Sequence, residues 1–70
     1  MIIEVHVNDE KNGDSWEEPE LSRVLNLSKI IPQIGSSISC YRDGDTHNVL
    51  EVNYFWNDID ELFVTIWIEK

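Results

Sequence analysis

Residues 48–70 read "NVLEVNYFWNDIDELFVTIWIEK", and the way their two halves pair decides the fold. Leu50, Val52, Tyr54 and Trp56 form one alternating row; Leu62, Val64, Ile66 and Ile68 form another. Period-two alternation marks a half-buried strand. With "NDIDE" as the loop, Tyr54 falls opposite Val64 and Val52 opposite Ile66, so both apolar rows land on one side. A slip of one residue would bury Glu51 and Asn53, which pins the register. The other side of the same hairpin then carries Phe55 against Phe63, with Trp67 opposite Glu51. Aromatics on an outer face mark contact sites, because monomers rarely expose contiguous apolar patches and interfaces are anchored by Trp, Tyr and Phe. The alternative is that Trp16 and the loop around it, or residues 21–31, fold over that face as a second small core.

Upstream, "IIEVHVN" at residues 2–8 alternates in the same way, with Ile3, Val5 and Val7 on one face and Glu4, His6 and Asn8 on the other. Next comes "DEKNGDSWEEPE", residues 9–20, with six acids and one Lys, Asn12-Gly13 and Pro19, which reads as a long acidic loop. The run "LSRVLNLSKIIP" is ambiguous. As a helix it would place Leu21, Val24, Leu25 and Ile31 on one face, between Pro19 at the start and Pro32 at the stop. Its β-branched Val24, Ile30 and Ile31 and the poor cap Glu18 favour instead a strand around 23–27. Pro32 and Gly35 then mark a turn, "SISCYR" reads as a strand with Ile38 and Cys40 on one face, and Asp43-Gly44 begins a tight reversal.

Five short strands with no long helix predict an all-β domain, a small antiparallel sheet closed into a barrel, with one short helix in 20–31 as the variant. Closure removes the exposed edges that invite aggregation. The run "LNLSKIIPQIGSSI", followed by "NVLEVNYFW" and "LFVTIWIE", resembles small bacterial and phage proteins of SH3-like barrel form. In these a Pro-x-Ile/Val-Gly turn precedes a strand and a Val-rich hairpin ends the chain. The likeness spans residues 25–69 and implies a fold rather than an activity; Ser36 stands where an acid often follows the turn glycine.

Seventy residues predict a single domain, 1–70, with 41% hydrophobic residues. A chain of that size buries only about 60% of the surface its unfolded form exposes, so the core is thin. The net charge is −9, from fourteen acids against five scattered Lys and Arg. Binding to nucleic acid or an anionic membrane draws on clustered basic residues, so neither is expected as a direct partner. The lone Cys40 allows no internal disulfide, and "MIIEVHVNDE" has neither a basic leader nor a long apolar run; both point to the cytoplasm.

Chemistry is sparse. His6 and His47 lack the partners a zinc site needs and read as exposed polar residues. Cys40 reads as a buried thiol. "DGD" at 43–45 and "DIDE" at 58–61 are too short for a calcium loop and fit turn chemistry. No cofactor and no enzymatic activity are expected.

Two roles remain. One is a protein-binding inhibitor or adaptor meeting a basic surface. It would use Asp9, Glu10, Asp14, Trp16, Glu17, Glu18 and Glu20 of the loop, Asp58, Asp60 and Glu61 of the turn, and Phe55, Phe63 and Trp67 as anchors. Its acids would mimic nucleic acid, and a phage or mobile-element origin would suit it. The other is a structural protein that forms a homodimer, two copies pairing through those aromatics across a two-fold axis.

Overall fold

The computed structural model describes residues 1–39 and 44–70; the readings made on Cys40, on Asp43 and on the later part of "SISCYR" lie outside the described residues. Among the described residues, five strands and one helix follow in the order β1 (Ile2–Asp9), β2 (Asp14–Glu17), α1 (Pro19–Ser28), β3 (Ser37–Ser39), β4 (Thr46–Trp56) and β5 (Leu62–Glu69). They form one open sheet in the spatial order β2-β1-β5-β4-β3. The β1–β5 pair is parallel, with Val5 opposite Ile66, and the other pairs are antiparallel. The expected closed, wholly antiparallel barrel is thereby corrected. The sheet is mixed, and a helix rather than closure guards one of its exposed edges.

The hairpin register is the expected one from Glu51 to Trp56, with Val52 opposite Ile66, Tyr54 opposite Val64 and Phe55 opposite Phe63. It shifts between Val49 and Glu51. Such a bulge places two residues of one strand against one of the other and turns the following side chains to the opposite face. Val49 is therefore buried and Leu50 exposed, reversing the expected roles of the two.

Residues 19–28 form a helix, against the strand favoured for 23–27. Pro19 sits at its start, where a fixed φ and a missing N–H cost nothing. Val24 is its one β-branched residue, since Ile30 and Ile31 follow after Lys29 closes the helix in a left-handed conformation. Leu21 and Leu25 are buried against Ile3, Val5, Val7, Val49, Val64, Ile66 and Ile68, which together make the core.

The polar side of α1 meets the edge of β1. At residues 3–5 that edge lies beyond the reach of β2, which pairs only from His6 onward. Asn26 takes the place of a neighbouring strand: its Oδ1 accepts from the Ile3 N–H and its Nδ2 donates to the Ile3 carbonyl, both at 2.8 Å. Ser22 Oγ accepts from the Val5 N–H at 2.8 Å, and the Glu18 N–H donates to the Val5 carbonyl at 2.8 Å. Buried backbone groups need partners, and here two side chains of a ten-residue helix and the backbone N–H of its cap residue supply them. The helix thereby bonds this edge and lays Leu21 and Leu25 over the sheet at the same time.

Residues 9–20, expected as a loop, contain β2, which folds back on β1 with Trp16 opposite Val7 and Asp14 opposite Asp9. Trp16 consequently lies on the helix side of the sheet. Neither it nor residues 21–31 cover the outer face.

Candidate functional site

Alternation assigns every strand side chain to one of two faces. Ile3, Val5, Val7, Val64, Ile66 and Ile68 point to the helix, so Phe63, Thr65 and Trp67 point away, as do Glu4 and His6 of β1. The cross-strand register orders this outer face into rows. Ile2, Phe63 and Phe55 form the first, Glu4, Thr65 and Asn53 the second, and Glu17, His6, Trp67 and Glu51 the third. The Phe55 and Phe63 rings lie 6.2 Å apart and tilted by 50°, and the Trp67 ring stacks on His6 at 4.9 Å. His6 Nε2 lies 3.3 Å from a Glu4 carboxylate oxygen. Among the described residues no strand side chain on this face is a Lys or Arg; its charged members are Glu4, Glu17, Glu51 and Glu69. Flat aromatic surface edged with carboxylates suits guanidinium and ammonium groups, which gain both from the π-faces and from the charges.

The remaining residues expected at the site are dispersed. Asp14, Trp16 and Glu17 sit on β2, and Asp58, Asp60 and Glu61 sit at the opposite end of the sheet, in the β4–β5 turn. Asn57 shapes that turn, its Oδ1 accepting from the Ile59 and Glu61 N–H groups, while Asp60 takes a left-handed conformation. Glu10 is exposed beside the β1–β2 turn, Glu18 starts the helix through its backbone, and Glu20 is bonded to Arg23 at 3.1 Å. Lys70 Nζ stands 5.8 Å from the Trp16 ring centre. His47 is buried rather than exposed, with Nδ1 2.8 Å from the Glu69 carbonyl, and His6 is half-buried under Trp67. Among the described residues no three metal-binding side chains converge, and no helix is long and apolar enough to cross a membrane.

Asp9 is engaged within the chain. It is buried, and its carboxylate accepts from the Asn12 side-chain amide at 2.8 Å, from the Asn12 N–H, and from Lys70 Nζ at 3.3 Å. The Asn12 amide, with Lys70 assisting, holds this carboxyl below its usual value of 3.8, while burial pushes the other way. A lowered carboxyl stabilises the fold above the unfolded-state value and loses that contribution as pH falls through the folded-state one. Asp9→Asn is therefore expected to be less stable than the parent near neutrality, with the difference shrinking as pH drops below 3.8. Urea-unfolding midpoints of both proteins across the acid range check this; a difference unchanged with pH would contradict it.

Several surface residues were not anticipated. Glu4 joins the aromatics only through the parallel β1–β5 pairing, which alternation cannot reveal, whereas Glu51 stands opposite Trp67 as the hairpin register required. Tyr54 and Trp56 belong to the helix-side row, yet they are 58% and 62% exposed, matching Phe55 at 63%. The helix packs over β1, Ile31 packs against the core, and residues 31–34 line a groove with Val52 and Tyr54, while Tyr54, Phe55 and Trp56 at the far end of β4 stay exposed on both faces. No protein-family model, curated protein or solved structure matches the chain.

Proposed function

We propose that this protein is a non-enzymatic binding module that grips a basic surface of another protein with the outer face of its sheet. The supporting observation is the uncovered face itself, where Phe55, Phe63 and the stacked Trp67 share their rows with Glu4, Glu17 and Glu51. Aromatic anchors supply desolvated contact area, and carboxylates select Lys and Arg and speed encounter. A partner surface of that kind commonly serves nucleic acid, and the module then acts as a cytoplasmic inhibitor whose acids stand where phosphates would. Pairing of two copies through the same aromatics is the competing reading. It brings Glu4, Glu17 and Glu51 of one copy against the same acids of the other, which opposes association.

Panning a random-peptide display library against the immobilised protein tests the proposal. Lys- and Arg-containing sequences should be enriched, and their binding should weaken with salt. Phe55→Ala and Glu4→Lys should each weaken it by about tenfold, the equivalent of about 1.4 kcal/mol. Light scattering should give a monomer at low and high salt. Enrichment of peptides without basic residues, or a dimer that persists in high salt, would overturn the reading.

A further inference from the structure

The two exposed edges of the sheet nearest the core are treated differently. Along β1, where β2 gives out, Asn26, Ser22 and Glu18 bond the backbone groups of Ile3 and Val5. Along β4, β3 pairs only with residues 46–48, and the last bonds on that side join Val49 to Gly35 and Ser36. From residue 50 to residue 56, among the described residues, no strand and no backbone hydrogen bond lies on the outer side of β4. The stretch "LEVNYFW" has none of the usual edge protection. It holds no Pro and no Lys, carries a single charge, and runs longer than β2 or β3. β2, the other end of the sheet, is four residues long with an acid at each end.

We propose that this edge is completed by an extended segment of the basic partner, added to β4 as a sixth strand. The inference rests on the proposed function for the partner's charge. An added strand would send alternate side chains to the two faces of the sheet. On the helix side they meet a shallow apolar groove formed by Ile31, Pro32, Ile34, Val52 and Tyr54. On the outer side they meet Glu51 and Phe55. The fitting segment alternates apolar with basic residues. Charge complementarity favours it over a second copy: the edge's one charged residue is Glu51, and residues 46–69 around it hold five acids and no Lys or Arg, so a basic segment meets only opposite charge, whereas a second copy adds net negative charge to net negative charge.

The test uses a short synthetic peptide alternating lysine with valine, the same peptide N-methylated at alternate amides, and a glutamate–valine counterpart. Binding is followed by amide NMR and hydrogen exchange on the intact protein. The expected result is saturable binding of the lysine peptide with new protection at alternate amides of residues 50–56. The N-methylated peptide should bind at least about tenfold more weakly, since it loses the backbone bonds that strand addition requires. Equal binding of the N-methylated peptide, with shifts confined to Phe63, Trp67 and Glu4, would overturn strand addition and leave the basic-partner reading standing. Equal binding of the glutamate peptide would instead remove the basic-partner reading. Protection of the same amides without peptide, together with a doubled mass, would make a second copy the occupant and overturn the proposal, as would no binding of the lysine peptide at all.

Discussion

Ile66→Ala should lower stability by about 3 kcal/mol, within the range of about 2–5 kcal/mol for truncating a fully buried Leu, Ile or Met. Ile66 has no exposed surface and sits at the middle of the sheet, with Val5 and Val52 as its cross-strand partners and Leu21 and Leu25 in the same core. A small residue there leaves a cavity that β1 and β4, both hydrogen-bonded to β5, cannot collapse to fill. A domain of this size has roughly 4–10 kcal/mol in total, so the loss is a large share of it. Each kcal/mol moves the thermal midpoint of a small domain by about 4–8 °C. The variant should therefore melt roughly 12–24 °C below the parent when followed by far-UV circular dichroism. Ile66→Val should cost only about 1 kcal/mol. A loss below 1 kcal/mol for the alanine variant would show that the core is not closed at this point.

Asn26→Leu should cost about 2–4 kcal/mol, although Asn26 is only half-buried. The change adds apolar bulk and removes no core packing; what it removes is the partner of both the Ile3 N–H and the Ile3 carbonyl. A buried backbone group without a partner costs about 1–3 kcal/mol. Ser22→Ala, which deprives only the Val5 N–H, should cost about 1–2 kcal/mol. The pair should be non-additive, because Asn26 Nδ2 also donates to the Ser22 carbonyl and both residues hold the same helix to the same edge. Native-state hydrogen exchange distinguishes this from general destabilisation: the Ile3 and Val5 amides should lose protection more than those of Val64 and Ile66. Uniform loss across the sheet would refute the edge-capping role.

The contrast between those residues also explains what could be read from the sequence. The hairpin register was legible because two apolar rows constrain each other, and Val64 and Ile66 are buried where alternation placed them. Leu50 was misplaced because a bulge leaves alternation intact on either side; its one trace is the adjacent apolar pair Val49-Leu50. Helix against strand at residues 19–28 was settled by Asn26 and Ser22 finding partners more than fifteen positions away in sequence, and no local propensity carries that information. Strand direction was equally hidden, since a period of two is the same read either way, and with it went the parallel β1–β5 pairing. The outward placement of Phe55, Phe63 and Trp67 was legible. Their carboxylate neighbours Glu4 and Glu17 were not, because these reach the aromatics only through that pairing. Asp9 and Glu20 stood out as acids, but their engagement with Lys70 and Arg23 depended on the fold.

The parallel pairing of β1 with β5 also governs the order of events when the chain folds. The first and last strands lie side by side at the centre of the sheet, so Ile3, Val5 and Val7 wait for Val64, Ile66 and Ile68 to be made. Synthesis from the N-terminus delivers β1, β2 and α1 early, with half of their shared core absent. The β4–β5 hairpin can zip locally, but its union with β1 closes a loop of most of the chain. Long-range closure of this kind slows folding, and it makes the completion of the core wait on one contact between distant parts of the sequence.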